Sequence, residues 1–550
     1  MLVVGAGGVF GRRLAEGLLA TTDCAVVAAG RSPERTEALA ASLRTAFPRR
    51  PIEALALDRL SASPEALRAA AIDVVVDAAG PFQGANLHLP GTAVAAGCHY
   101  LDLADARDHV SAIGTLDAEA RAAGVLVAAG LSSTPALSHA ALDALTAGWS
   151  AIEAIDMAIS PGNRAPRGRS VVDAVLSYAG RPVRVWRDGR WTERPGWGDL
   201  RRTRFPGLGR RWLSLVETPD LDLLPARFPG CRTALFRFGL EFAPLHLGLW
   251  LLSLLPRLGL VRDLLPLAGP LHRASSLLVP FGTDRGGMVV RATGHDGENR
   301  PVAAEWSLVA GAGDGPNVPT LPALAVLRAL AAGRTFPPGA RPAVGLLPLA
   351  AFEAEFGRFA ITTATAAAHP TASSLFERAL GPAFHTLPEP LRRAHDARRA
   401  GRLVGRVEVT GAGTAAGRLV ARLLGLPSRS LSAPADVTLE ADGAGEVWTR
   451  RFGRACFRTR IEAGSDPGTL VERWGPFRFD LALTANAAGF DLAVEGWRLG
   501  SVPLPRRLAP TAPARAWCNE AGRYCFDVPI KLPGVGLVAR YRGSVAEEGA

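Results

Sequence analysis

The chain has 550 residues, 48% of them hydrophobic and 21% charged, with a mean hydropathy of +0.15, which excludes a single small module, a disordered chain and the collagen-like or low-complexity classes. The net charge is +11, yet among 62 basic residues Lys531 is the single lysine. Arginine in place of lysine, with 60 glycines and 42 prolines, reads as codon bias, and without a dense basic run interleaved with aromatics no nucleic-acid partner is expected.

Six thinly spread cysteines, Cys24, Cys98, Cys231, Cys456, Cys518 and Cys525, form no CxxC pair and suit a reducing cytoplasm. Nothing at the N-terminus has the basic and apolar regions of a signal peptide. Three apolar residues separate Met1 from Gly5, where strands usually run to about five or six residues. The first strand is therefore short, and a natural start some residues upstream is expected.

From residue 2 to about residue 130, short apolar runs alternate with helical stretches. Strands are predicted at 2–4, 25–28, 52–57, 73–77, 100–103 and 125–128, and helices at 12–20, 33–47, 64–71 and 116–123, with Pro33 and Pro64 in first turns. Six such βα units predict an α/β fold with a doubly wound parallel sheet. Residues 151–344 mix periodicities, with strands predicted at 154–159, 183–186, 287–292 and 302–310, as in an α+β domain for substrate binding or homodimerisation. Helices at 321–332 and 347–356 are expected to pack back on the first domain. Beyond His369 and Pro370 a helix at 374–380 precedes short strands at 446–451, 475–480, 489–495 and 536–541, a β-rich pattern. The expected domains are 1–145, 146–362 and 363–550.

Residues 242–255 are almost wholly apolar, but too short for the roughly 20 residues that span a bilayer. A buried helix, a subunit contact and a peripheral element on a membrane surface remain open for this segment.

The strongest motif runs from Val3 through Gly5, Ala6, Gly7, Gly8, Val9, Phe10 and Gly11 to Leu14, a strand, a glycine turn and a helix in that order. A pyrophosphate needs close backbone approach, free N–H groups and the positive end of a helix, which glycines permit. The spacing is GxxGxxG; the strict GxGxxG pattern fails at Phe10, although Gly7 supplies its second glycine. This places a Rossmann-like dinucleotide site at Gly5, Gly7, Gly8, Val9, Phe10 and Gly11. NAD enzymes place an acid about 20 residues further on; here stand Arg31 and Ser32, which suit the 2′-phosphate of NADP and favour it over NAD.

After the fourth strand come Asp77, Ala78, Ala79, Gly80, Pro81 and Phe82, small residues where backbone must run beside the ribose and nicotinamide. With the glycine turn and the stretch Gly97-Cys98-His99-Tyr100-Leu101-Asp102, this loop resembles the saccharopine dehydrogenase-like family over about the first 145 residues, and more loosely through the middle. From Pro370 the chain resembles a C-terminal domain of unknown function that recurs behind such dehydrogenases. The resemblance implies a nicotinamide-dependent oxidoreductase that holds a small-molecule substrate between its first two domains. It does not imply saccharopine, because the apolar stretch around Trp250 suits a greasier substrate.

Tyr100 and Asp102, at i and i+2 on one strand face at the sheet's carboxyl edge, are the first acid/base candidates, and structural hydrogen bonding explains them equally well. Asp105 and His99 come second, His99 facing the opposite way. Thr134, before Pro135 and after Ser132 and Ser133, reads as a helix cap, and the same geometry could also bind a cofactor amide or an anionic substrate group. No HExxH or His-x-His cluster occurs, so no metal is expected; without Tyr-x-x-x-Lys, the short-chain dehydrogenases are excluded. A second glycine turn, Gly411-Ala412-Gly413 to Gly417, has the wrong spacing and no following parallel unit. Glu472, Trp474, Asp527 and Arg540 read as pocket residues or cross-strand pairs. Two functions stay open: an NADP-preferring cytoplasmic oxidoreductase, and a non-catalytic NADP(H) sensor or scaffold whose C-terminal domain binds a ligand or lipid.

Overall fold

The computed structural model describes residues 1–166, 168–368, 374–395, 401–442, 445–453, 455–464, 466, 468–486, 488–500 and 502–547. Two compact units divide the chain, Met1–Ala368 and His369–Ala550.

The first unit opens with six parallel strands: β1 (Leu2–Val4), β2 (Val26–Gly30), β3 (Ile52–Ala56), β4 (Val74–Asp77), β5 (His99–Asp102) and β6 (Leu126–Ala129). Their spatial order, 3-2-1-4-5-6, is that of the doubly wound dinucleotide-binding sheet, whose switch point lies between the first and fourth strands. β1 is short but central, pairing with β2 and β4, and its three residues are buried. Helix α1 (Val9–Thr21) follows the glycine turn and α2 (Pro33–Ala46) follows β2, each with its apolar side on the sheet.

A seventh strand was not expected. Gly339–Pro342 returns from far along the chain to pair parallel with β6, and helix Leu321–Ala331, buried along its first two turns, packs on α1, where Gly17 meets Leu324. Residues 1–145 and 146–362 thus share one apolar core. The middle region builds a mixed nine-stranded sheet around Ala151–Ser160, which pairs parallel with Thr233–Phe238 and antiparallel with Gly286–His295. Arginine-rich strands the sequence did not reveal, Arg190–Pro195, Arg201–Phe205 and Gly209–Leu215, extend it.

The apolar segment at 242–255 forms two short helices, Ala243–Leu252 and Leu254–Arg257, with His246 and Ser253 fully buried and the leucines half-buried or exposed. Among the described residues no helix is long and apolar enough to cross a membrane.

In the second unit eleven antiparallel strands form a sheet that closes through the pairing of Phe477–Asn486 with Gly489–Leu499 into a barrel; the short Val502–Pro503 hangs off the ring. Where one strand was expected over 475–480, Thr469–Trp474 and Phe477–Asn486 form a hairpin, with Gly475 turning the chain at φ +58°, a conformation glycine adopts freely. Helix Leu375–Leu380 begins with a capping box between Ser374 and Glu377.

Candidate functional site

The glycine turn divides by cause. Gly5 sits at φ +76°, and a Cβ there would lie 2.8 Å from Ala79 Cα; one on Gly11 would lie 2.2 Å from the Gly5 carbonyl oxygen. Folding alone requires both glycines. Gly7 differs, because it is exposed and nothing stands within 4 Å of an added Cβ. Protein packing does not account for its bare backbone, whereas a group laid against the turn would. Gly8 caps α1 without a side-chain hydrogen bond, and no acidic residue occupies the first turn, which leaves the positive helix end open to an anion. These residues fit a dinucleotide.

Past β2, Arg31 is exposed and has no hydrogen bond or ion pair among the described residues. Ser32 is already engaged: its hydroxyl accepts from the Arg35 N–H at 3.4 Å and donates to Glu34 at 2.9 Å. Glu34's own backbone N–H and Ser32 hold that carboxyl below its usual range, so an anion stands at the same helix start as Arg31.

The loop after β4 is clamped from below. Buried Asp77 accepts the Ala79 N–H at 2.9 Å and meets Arg59 at 3.0 Å. Arg59 in turn donates to the Ala79 carbonyl at 2.7 Å and lies 4.9 Å from the Phe82 ring centre. Burial raises the Asp77 pKa against the opposing Arg59 charge. Ala78, Ala79, Gly80 and Pro81 are thereby fixed beside the glycine turn, with Gly5 against Ala79. Sequence reasoning missed Arg59, which lies outside every motif.

Tyr100 and Asp102 share a strand face and are both completely buried. Asp102 accepts the Gly130 N–H at 2.7 Å and the Ala104 N–H at 3.0 Å and contacts His109 Nε2 at 2.9 Å. Tyr100 donates to Asp77 at 3.4 Å, and burial drives its pKa well up. Together they tie the ends of β4, β5 and β6 to one another. His99 accepts the Leu126 N–H at 2.9 Å across the sheet, and burial lowers its pKa.

Asp105, three residues beyond Asp102, is exposed and accepts a hydrogen bond from Gln83 at 3.2 Å. Its carboxyl reaches solvent yet is set among protein mass, and this desolvation raises its pKa. In the middle region the Tyr178 pKa is driven well up by burial and then by the charges of Asp105 and Glu217. Desolvation raises the Glu217 carboxyl too, against the pull of Arg107. The Gln83–Asp105 pair follows β5 at the carboxyl edge of the parallel sheet, where such folds bind ligands, and Tyr178 feels the Asp105 charge. Only Asp105 among them was legible in the sequence.

Thr134 has the extended backbone of a cap before Pro135, but among the described residues its hydroxyl accepts no helix N–H. Its hydroxyl donates to Asp220, as does that of Ser138, and burial pushes the Asp220 carboxyl up to about 6. Beside it His139, pushed down to about 3 by burial and by Arg227, accepts from Arg227 at 2.9 Å. In the second unit, Glu472 lines the barrel lumen, Trp474 stacks on Phe457 and Arg540 pairs with Asp527 at 2.5 Å. Among the described residues no group of His, Cys, Asp or Glu is placed to hold a metal ion.

The seven-stranded parallel sheet with its glycine turn defines a Rossmann-like α/β architecture, carried in one chain with a mixed sheet and an antiparallel barrel. Residues 387–545 match the family described as domain of unknown function DUF4166, the fused C-terminal domain that the sequence suggested. The structure is similar to apo saccharopine dehydrogenase (L-Glu forming) from Saccharomyces cerevisiae, at 14% identity and a TM-score of 0.48 over 66% of this chain and 99% of that one. A probable dehydrogenase from Thermotoga maritima aligns at 9% identity and 0.32 over 64% and 92%, and a dehydrogenase from Chromobacterium violaceum at 14% and 0.29 over 61% and 88%. No curated protein matches the chain.

Proposed function

We propose that the first unit is a nicotinamide-dependent oxidoreductase that prefers NADP to NAD. The observation that carries this reading is Gly7: open, unexplained by packing, and set before an uncapped helix at the switch point of a parallel sheet. A nicotinamide dinucleotide, when bound, supplies the hydride donor or acceptor. Gly5, Gly7, Gly8, Val9, Phe10 and Gly11 present backbone to its pyrophosphate. Arg31 offers an unengaged guanidinium to the 2′-phosphate, with Ser32 at the helix start beside it, while Ala78, Ala79, Gly80 and Pro81 pass beside the ribose and nicotinamide. Tyr100 and Asp102 position these loops from beneath. Asp105, accessible and with a raised pKa, holds or releases the proton at its carboxylate oxygen.

The substrate on this reading is an apolar carbonyl or enoyl compound, and the chain takes it at a membrane surface. The support is the region after residue 242, where Leu251, Leu258, Leu260, Leu277 and Phe281 are exposed, with Arg262 and Arg273 exposed among them and Asp263 the single acid. An apolar face with a basic excess suits anionic lipid. Flotation with phosphatidylcholine vesicles containing phosphatidylglycerol should carry the protein upward. A dimer in solution that leaves the vesicles bare would assign this face to a second copy instead.

Nicotinamide fluorescence titration of the full chain tests the cofactor reading. Binding of NADPH tighter than NADH supports it, and binding of neither sinks it. The burial of Tyr100 and Asp102 favours the rival sensor reading. Turnover of an apolar carbonyl that Asp105→Asn abolishes, with NADPH binding unchanged, would remove that rival.

A further inference from the structure

Side chains alternate along each strand of the C-terminal barrel, so every second one points into the ring. There Leu403, Val437, Leu439, Phe452, Leu481 and Phe526 surround a cavity of about 100 Å³, several times the space one water needs. Small barrels either fill their interiors with side chains or hold one small ligand, and this interior is incompletely filled.

Polar groups break the apolar wall. His395 follows helix Glu389–Ala394 and is buried among Phe376, Trp448 and Phe490. One ring nitrogen, Nε2, meets the Tyr524 hydroxyl at 3.2 Å; the other, Nδ1, has no hydrogen-bond partner among the described residues. Burial pushes this histidine down to about 3, so the ring is neutral. Arg450 extends from the strand face that also carries Trp448 and Phe452, its guanidinium 4.7 Å from the Trp448 ring centre and 5.6 Å from that of Phe457. It donates to Thr459 at 2.9 Å but reaches Glu472 only at 3.8 Å, beyond hydrogen-bond length. Tyr541 also lines the space, and burial pushes its pKa up to about 12, which keeps its hydroxyl protonated.

Buried polar atoms without partners cost free energy, and proteins retain few of them. Here a buried histidine nitrogen lacks a partner among the described residues, in the same apolar cavity as a guanidinium whose contact with Glu472 is longer than a hydrogen bond. Three charged groups line the cavity: Arg450 stands against Glu472, and the exposed Arg515 stands against Asp491 at 3.8 Å, so the charges balance with the histidine and tyrosines neutral. A charged head group brought inside would stand uncompensated, whereas an uncharged oxygen could accept from Arg450 or bond the free histidine nitrogen.

We propose that the barrel is a binding site for a small neutral amphiphile, its hydrocarbon body against the apolar wall and a single hydroxyl or carbonyl oxygen among His395, Arg450 and Tyr541. The site is independent of the dinucleotide reading of the first unit. The lumen selects on head-group charge at constant chain length, so that an alcohol enters and the matching carboxylate does not.

Calorimetric titration of the full chain with 1-decanol and with decanoate, at two temperatures, tests this. The alcohol should bind with a negative heat-capacity change and at least about tenfold more tightly than decanoate, since each factor of ten is about 1.4 kcal/mol and an uncompensated buried charge costs more. Ala516→Phe, which fills the lumen from its wall, should weaken the alcohol at least about tenfold, and Arg450→Met, which keeps volume but removes the head-group donor, about tenfold. Should Ala516→Phe lose its far-ultraviolet circular dichroism, Val528→Phe fills the same cavity from another strand. Binding of decanol untouched by either filling variant would place it outside the barrel and overturn the proposal. So would tighter binding of decanoate, or no binding of either compound.

Discussion

Two segments of this chain pass from a strand through a glycine turn into a helix. In the first, β1 leads through Gly5, Gly7 and Gly8 into α1; in the second, strand Gly401–Gly411 leads through Gly413 and Thr414 into helix Ala415–Leu423. Around the first turn the neighbouring strands run parallel on both sides, and around the second they run antiparallel on both sides. The first helix starts uncapped, while the second is capped by Thr414, which accepts the Gly417 N–H at 3.0 Å. Near the second turn the positive charge comes from the side chains of Arg418, Arg422 and Arg429 around a surface recess. Glycine spacing is therefore a weak signal taken alone. What distinguishes a dinucleotide turn is the free helix end at a switch point between parallel strands.

Substitutions can break that contrast. Gly11→Ala should have the largest effect, because its Cβ would lie 2.2 Å from backbone; a loss of about 3 kcal/mol in urea unfolding is expected from overpacking, together with loss of NADPH binding. Gly7→Val should separate folding from binding. Nothing stands near its Cβ, so stability should stay within about 0.5 kcal/mol, while NADPH titration weakens by more than about tenfold as the side chain fills the pyrophosphate's place. A Gly7→Val protein that binds NADPH normally would end the dinucleotide reading. Arg31→Ala should weaken NADPH by about tenfold, the worth of one charge-assisted hydrogen bond, and leave NADH unchanged. Equal loss for both cofactors would move Arg31 away from the 2′-phosphate. Gly413→Val, also in open space, should alter neither unfolding nor the NADPH titration; any loss of cofactor binding there would undo the distinction between the two turns.

The six parallel strands and the glycine turn were legible because each βα unit writes its own pattern locally: an apolar run, a turn residue, a helical period. Helices with Pro33 and Pro64 in their first turns appear where their prolines put them. Gly339–Pro342 was invisible for the opposite reason, since Gly-Ala-Arg-Pro reads as a turn and becomes a strand only because the edge of β6 supplies its partners. Barrel closure likewise depends on pairing between strands that no local pattern announces. At the candidate site the sequence separated Tyr100 and Asp102 from Asp105 by position alone. In the structure Tyr100 and Asp102 are buried beneath the sheet edge, while Asp105 is exposed at it. Arg59 escaped because its role arises from a fold that brings the end of β3 beside the loop after β4.

The returning strand also sets a timetable for synthesis. β6 emerges from the ribosome on the order of 200 residues before Gly339–Pro342 exists to cover its open side, a wait of roughly 10 to 40 s at typical elongation rates. During that interval the nascent sheet presents a row of unpaired backbone donors and acceptors, a template for the wrong strand as much as for the right one. A ribosome stalled anywhere between those two points would hold a sheet lacking one edge, so slow translation of the middle region should raise the demand for chaperones more than slow translation of the barrel that follows.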